Sequence, residues 1–309
     1  MIYTVTLNPA LDRQYTVEEI TPNEVLRTRD SRTDLGGKGF NVSRSLQRLR
    51  VPSVAIGFVG GLTGKRLAAG LDELGIQNEL VSIAEETRTN TSITGLNQNS
   101  YIKVNEPGPV IQPQEIAQLQ TKIRSLAAPG DWWVLSGNLP RGIPGTFYAD
   151  LVRDIQSEDA QACLDTSGEP LRLGYAANPR LIKPNLVEFS DLVNSPKLNQ
   201  DEALSASKML PQDSNQLLLL SMGEHGALLR HGDQMWLAKA PAVAVGNPIG
   251  AGDALIAGFL AALTSGEPLP TALRWCVASG SYAASLPGTT FGSIADLEQI
   301  LPLIHSEQL

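Results

Sequence analysis

Apolar positions along the chain follow the two spacings expected of strands and helices. Residues 2–7 alternate as a strand does, and Asn8-Pro9 stops them. Residues 13–34 are polar, with extended pieces such as Gln14-Tyr15-Thr16-Val17 and no helical stripe. Gly36-Gly37-Lys38-Gly39 then opens an amphipathic helix with Val42, Leu46 and Leu49 on one face. A strand over residues 53–59 leads through Gly60-Gly61 into a helix bearing Leu67, Leu71 and Leu74, which closes at Gly75. Residues 89–96 and 101–104 read as a hairpin around residues 97–100, ended by Pro107-Gly108-Pro109.

From residue 113 the pattern becomes regular. Helices at about 113–127, 144–156, 168–177 and 199–210 each precede a short apolar strand, at 132–136, 162–165, 181–183 and 217–221. That alternation predicts a parallel sheet covered on both faces. A hairpin at 227–237 and helices at about 253–264, 268–285 and 293–304 complete the body, after a short apolar run at 240–245. Two β-rich insertions, at about 12–34 and 88–106, hold too few apolar residues for cores of their own and read as a lid. The expected architecture is α/β: a three-layer α/β/α sandwich with a mostly parallel central sheet and a small β-sheet lid, forming one domain over residues 1–309.

Composition narrows the function. The chain has 309 residues and a formal net charge of −8, which argues against nucleic acid or an anionic membrane surface as partner. No apolar run reaches the roughly 18 residues of a membrane span. The N-terminus lacks the basic and apolar regions of a signal peptide, so a cytoplasmic protein is expected. Cys163 and Cys276 are far apart, and His225, His231 and His305 show no metal-ligand spacing, so neither a disulfide nor a zinc site is expected.

In an open parallel sheet, ligands bind outside the carboxyl ends of the strands. Asn8, Gly60-Gly61, Ser136-Gly137, Asp165, Lys183-Pro184-Asn185, Ser221-Met222-Gly223 and Asn247 stand there, and most are small or polar. Gly250-Ala251-Gly252-Asp253 opens a helix apolar on nearly every side. Free amides and the helix dipole favour an anion at such a start, and the dipole should keep Asp253 ionised. A carboxylate beside a bound phosphoryl group is what a kinase needs to accept a proton from an attacking hydroxyl. The same short motif also serves a plain turn and helix cap.

The chain resembles the PfkB carbohydrate kinases, which share the ribokinase-like fold. Gly36-Gly37-Lys38-Gly39-Phe40-Asn41-Val42 and Gly250-Ala251-Gly252-Asp253 carry the resemblance, with Lys183-Pro184-Asn185 plus Glu188, and Ser221-Met222-Gly223 plus Gly226, between them. Asn8-Pro9-Ala10-Leu11-Asp12, Asn105-Glu106-Pro107-Gly108-Pro109 and Ser136-Gly137-Asn138-Leu139-Pro140 are similar to the hexose-phosphate branch, which contains 1-phosphofructokinase, tagatose-6-phosphate kinase and the minor 6-phosphofructokinase.

The resemblance implies ATP and Mg²⁺ as cofactors. It makes Asp253 the base, with Gly250, Ala251 and Gly252 as the anion hole for the transferring phosphoryl group. Asp12, Gly37, Lys38, Asn41 and Ser136 would hold the sugar. Arg27 and Arg88 would clamp the phosphate already on it, as bidentate guanidinium groups can. Lys183, Asn185, Ser221, Gly223, Gly226, Asn247 and Gly252 would face ATP, with Ala278 and Gly280 closing the adenine side. Asn185 and Glu188 would serve the metal. Ala254 and Asn138 stand where Ser is frequent in this branch, and Thr290 stands where some relatives have a longer polar side chain near a monovalent-cation site, so K⁺ stays open. The expected reaction is ATP-dependent phosphorylation of a hexose phosphate to a bisphosphate, with fructose 1-phosphate first and tagatose 6-phosphate or fructose 6-phosphate as alternatives. A homodimer through the lid is expected from its exposed strands. Two other classes compete. A dinucleotide-dependent oxidoreductase would want Gly-x-Gly-x-x-Gly after the first strand, where this chain has Asn8-Pro9. A non-catalytic sugar-phosphate sensor would not need the intact Asp253.

Overall fold

The computed structural model describes residues 1–97, 100–211, 213–244 and 246–309, so the hairpin tip at 98–99 and Val245 in the apolar run lie outside the described residues. The rest of that run forms neither helix nor strand. Ten strands follow one another across the main sheet, which an eleventh joins at one edge. Its parallel part comprises β1 (Ile2–Thr6), β4 (Ser53–Gly60), β5 (Gln77–Asn78), β6 (Val81–Ile83), β9 (Trp132–Ser136), β10 (Gln161–Asp165), β11 (Leu181–Ile182) and β12 (Leu217–Ser221). The antiparallel strands β13 (Ala227–His231), β14 (Gln234–Ala238) and β15 (Ser306–Gln308) extend it beyond β12.

Both faces of the sheet are apolar, so both are covered. Tyr3, Trp133, Leu135, Leu218 and Leu220 point into one core with α3 (Pro113–Leu126), α4 (Phe147–Ser157), α5 (Gly168–Ala176), α6 (Leu186–Leu192) and α7 (Gln200–Met209). Their neighbours Ile2, Trp132, Val134, Leu217 and Leu219 point into the other, with α1 (Lys38–Arg48), α8 (Ala251–Thr264), α9 (Leu269–Ser285) and α10 (Ile294–Ile300). This is the expected three-layer α/β/α sandwich. α2 (Gly61–Glu73) follows β4. Helices α8 and α9 approach closely because Gly258 faces Ser279: a Cβ on Gly258 would stand 2.2 Å from the Ser279 Oγ.

A separate four-stranded sheet has the order β3-β2-β7-β8, formed by β2 (Ala10–Val17), β3 (Asp30–Gly36), β7 (Arg88–Gly95) and β8 (Ser100–Asn105). The first insertion is wider than expected, since the lid strands run from Ala10 to Gly36. They leave directly from β1 and return directly into α1, which roots this sheet at the carboxyl edge of the main one.

Other departures have local causes. The helix expected over 293–304 stops at Ile300, and Pro302 turns the next residues into a 3-10 turn. The seven-residue α6 was not expected. It starts where the Asn185 side chain caps the Glu188 amide.

Candidate active site

The site is built around the start of α8. Gly250, its N-cap, has φ 84°, a left-handed conformation that favours glycine. A Cβ there would also come within 2.9 Å of Thr289 Cγ2. The Gly250 carbonyl accepts from the amides of Asp253 and Ala254, and the Ala251 amide binds the Pro248 carbonyl. The Gly252 amide makes no hydrogen bond among the described residues. Beside it stands the Lys183 ammonium, 3.6 Å from where a Gly252 Cβ would lie. A free amide at a helix N-terminus next to an ammonium is a place for an anion.

Asp253 is only 5% exposed, and Asn41 Nδ2 donates to its Oδ2 at 2.8 Å. The expectation that the helix start keeps this carboxylate ionised is corrected here. Burial, followed by the negative charge of Asp165, pushes its pKa up to about 7, against the opposing pull of Lys38, Asn41 and Lys183. The group is therefore poised near neutrality, where a general base works best.

Asp165 ends β10 and is enclosed by two lysines that the fold brings from distant segments. Lys38 Nζ lies 3.3 and 3.2 Å from its two oxygens, and Lys183 Nζ lies 3.1 Å from Oδ1. Burial alone would raise the Asp165 pKa, but Lys183 and Lys38 more than offset it and hold the group below the usual carboxylate range. Asp165 in turn raises Lys38 above its ordinary value, despite burial. Two ammonium groups around one carboxylate leave a surplus positive charge beside the Gly252 amide.

The lid side contributes Asp12, whose carboxylate accepts from Asn90 Nδ2 at 2.8 Å and whose pKa burial raises. Gly37, at φ 128°, caps α1, and a Cβ on it would meet Thr6 Cγ2 at 2.6 Å. Arg88 donates to the Glu106 and Asn8 carbonyls, each at 3.0 Å. Arg27 is exposed on the loop joining β2 to β3, without a hydrogen bond or ion pair among the described residues. The two arginines therefore do not meet in a ready-made clamp: Arg88 is held by backbone carbonyls, and Arg27 stands in solvent. Asn8 Oδ1, Arg88 Nε, Asn90 Oδ1 and Ser136 Oγ are buried without partners among the described residues. Unpaired buried polar atoms are uncommon, and here they gather where the lid meets the sheet, as they would if a polar ligand completed them.

On the other side of α8, the Ser221 hydroxyl and amide both bind the Pro184 carbonyl, at 3.3 and 3.0 Å. Gly223 and Gly226 take positive φ, and a Cβ on Gly226 would stand 1.9 Å from the Ala238 carbonyl oxygen. Asn247 Oδ1 accepts from the Ile249 amide at 3.0 Å, which shapes the turn into Gly250. Ala278 and Gly280 depart from expectation. Ala278 is fully buried in the apolar core, and a Cβ on Gly280 would meet Leu255 Cγ at 2.6 Å, so both serve the packing of α9 on α8.

Asn185 and Glu188 form a reciprocal capping box at 2.9 Å. This engages Asn185 Oδ1 and one Glu188 oxygen and leaves the second carboxylate oxygen available. Mg²⁺ is commonly held by one or two carboxylates, with waters and substrate phosphates supplying the rest. The donor set fits that mode, and Glu188 is near enough to Lys38 to raise its pKa. Among the described residues, no three His, Cys, Asp or Glu side chains gather as a metal cage. Thr290 Oγ1 donates to the Pro287 carbonyl at 3.0 Å and accepts from Arg32 Nη2 at 3.4 Å. A monovalent cation on that loop would have to share it with a guanidinium.

Arg44 and Asn90 were not marked by the sequence, and Asp165 was marked only by its place at the carboxyl edge of the sheet. Arg44 follows Asn41 by three positions on α1 and shares its face. Its Nη1 donates to Asn41 Oδ1 and to the Leu35 carbonyl, both at 3.1 Å, and its Nη2 donates to the Thr289 carbonyl at 2.9 Å. The spacing was visible, but the partners at 35 and 289 were not.

Comparison with known proteins places the whole chain in one family. The profile described as the pfkB family of carbohydrate kinases matches residues 6–296. A 1-phosphofructokinase of Borreliella burgdorferi is 34% identical over 310 aligned positions, covering 100% of this chain and 99% of the relative. A 1-phosphofructokinase of Bacillus subtilis is 33% identical, with both chains covered fully. The crystal structure of phosphofructokinase-2 from Escherichia coli in complex with potassium superposes with a TM-score of 0.92 at 29% identity, covering 98% of each chain.

Proposed function

This chain belongs to the pfkB family of carbohydrate kinases, and on that premise we propose that it transfers the γ-phosphoryl group of ATP to the free 6-hydroxyl of fructose 1-phosphate, giving fructose 1,6-bisphosphate. The observation that carries the reading is the buried Asp253, its pKa pushed up to about 7, at a helix start that presents a free amide and an ammonium. In-line transfer asks for two things: acceptance of the hydroxyl proton and stabilisation of charge on the moving phosphoryl group. Asp253 takes the proton. The turn of Gly250, Ala251 and Gly252, with Lys183, meets the charge.

Asp12, Gly37, Lys38, Asn41 and Ser136 hold the sugar, and the unpaired atoms of Asn8, Asn90 and Ser136 support a hydroxyl-rich ligand there. Arg88, with Arg27 drawn in from the loop, meets the phosphate already on the sugar. Lys183, Asn185, Ser221, Gly223, Gly226 and Asn247 face ATP. Mg²⁺, when bound, neutralises phosphate charge, and Glu188 with Asn185 would hold it. A cytoplasmic location suits these substrates. A homodimer through the lid is part of the same reading, because β8 is an edge strand carrying exposed Tyr101, Ile102 and Val104.

The test is an ADP-release assay with Mg·ATP and fructose 1-phosphate, fructose 6-phosphate, tagatose 6-phosphate and free fructose in parallel. Turnover is expected on fructose 1-phosphate and not on free fructose. Turnover on free fructose alone would keep the kinase and discard recognition of the sugar phosphate. Binding of a sugar phosphate with no turnover on any acceptor would favour a sensor.

A further inference from the structure

The amide of Asn41 has two ends, and only one of them suits Asp253. Its Nδ2 donates to the Asp253 Oδ2, while its Oδ1 accepts from Arg44. A guanidinium has donors and no acceptor, so the group facing it must be the amide oxygen. Arg44 is itself held by other carbonyls: Leu35 at the root of the lid, 3.1 Å away, and Thr289 before α10, 2.9 Å away. Its guanidinium carbon also lies 5.3 Å from the centre of the Phe291 ring. The fork is thus fixed from several directions before it reaches Asn41.

We infer that Arg44 is a positioning residue for the phosphoryl transfer proposed above: its guanidinium locks the Asn41 amide so that Nδ2, and not Oδ1, meets the Asp253 carboxylate. The inference rests on Asp253 being the base. Without Arg44 the amide can turn over and offer Oδ1 as an acceptor. That orientation favours the protonated carboxyl and withdraws the base.

The charged groups around Asp253 are Asp165 at the end of β10, Lys38 from α1 and Lys183 after β11. Arg44 is faced in turn by Asp34, Arg32 and Asp12 from the lid strands and by Asp253 itself. Lys38 and Lys183 are held by Asp165 and not by Arg44, so a change at Arg44 removes none of their hydrogen bonds and the effect of Asn41 can be separated from theirs.

The experiment measures kcat and KM against pH for the wild type, Arg44→Met, Arg44→Lys, Asn41→Ala and the Asn41→Ala/Arg44→Met double variant. Arg44→Met is expected to move the acid limb of kcat upward by about one pH unit, a roughly tenfold loss on that limb. It should leave KM for ATP within about twofold. Added to Asn41→Ala it should do little more, because both changes remove the same hydrogen bond. Arg44→Lys, with one donor left for Asn41, should recover part of the limb. A fall in kcat that is uniform across pH, or effects of Arg44→Met and Asn41→Ala that multiply, would overturn the inference. If Arg44→Met does not fold, Arg44→Lys enters the same cycle under the same criteria. Asp253→Asn runs as a separate control. Near-normal turnover there would sink the base assignment itself, whereas a required Asp253 with an unmoved limb would sink only the role of Arg44.

Discussion

Asp165 raises the pKa of Asp253, although Asp165 itself stays ionised. The two carboxylates share one buried site, and the lysines are divided unequally between them. Lys38 and Lys183 both touch Asp165, while the Asp253 carboxylate has, among the described residues, only Asn41 in hydrogen-bond contact. The pair shows how one site can keep one carboxylate charged and leave the other ready to take a proton.

The pH dependence of turnover follows from that division. With Asp253 at about 7, kcat should fall about tenfold for each unit of pH well below that value. Asp165→Asn removes the repelling charge and frees both lysines to act on Asp253. The acid limb should then move to lower pH, even if the maximal rate drops. A limb that stays put or moves upward in Asp165→Asn would show that the two carboxylates are not coupled.

Asp253→Asn should fold and lose phosphoryl transfer by several orders of magnitude. It should also change stability in a definite direction. The folded-state pKa of Asp253 is raised, so ionisation of this group opposes folding as pH rises from its unfolded value toward about 7. Wild type and variant should match near pH 4 (roughly the unfolded carboxyl value) and diverge above it, with the variant the more heat-stable at pH 8. Each kcal/mol regained would raise Tm by about 1.5 °C in a chain of 309 residues. Thermal melts across that range check it, and a variant less stable at pH 8 would contradict the buried-charge account.

Arg32 ties the lid to the body. It pairs with Asp34 at 2.8 Å within β3 and reaches Thr290 on the loop before α10. Arg32→Ala should loosen closure, and a loose lid admits water as a competing acceptor. The expected outcome is a rise in ADP release without sugar, relative to release with it. An unchanged ratio would mean that this contact plays no part in excluding water.

Gly226→Ala should be strongly destabilising. Its φ is 89°, and the new methyl would press on the Ala238 carbonyl of the neighbouring strand. A ψ of −136° puts Gly226 outside even the left-handed helical well, in a region essentially reserved for glycine, so the backbone alone costs about 1–3 kcal/mol in a residue with a Cβ, and the overlap adds to it. Denaturant titration measures the loss, and a wild-type midpoint would refute it.

Much of the fold could be read because its strands are continuously apolar and its helices long. The pieces that escaped are short. β5 has two residues and β15 three, too few to show any period. Helix α6 did leave a signal, since Asn185-x-x-Glu188 is a capping box, but the same residues carried the metal assignment and hid the helix. Ala278 and Gly280 show the converse: small residues suit a ligand cleft and a tight helix pair equally, and only the contact with Leu255 decides. At the site, the glycine turns were legible because backbone geometry demands them locally, and Asp253 was singled out by the family motif it closes. The Lys38–Asp165–Lys183 cluster and the Arg44 fork were not, because each joins segments far apart in the chain.

The parallel pairing of β2 with β7, which sets Ala10 beside Arg88, has a consequence for how the chain reaches this state. Neither strand can find the other until β4 and α2, which lie between them, have brought the two segments together. The seam between the two lid hairpins, β2–β3 and β7–β8, is thus closed by the body, and loop-closure entropy disfavours it until the intervening elements have folded. A nascent chain that has not yet made β7 would carry the start of α1, with Gly37, Lys38 and Asn41, under only half of its lid.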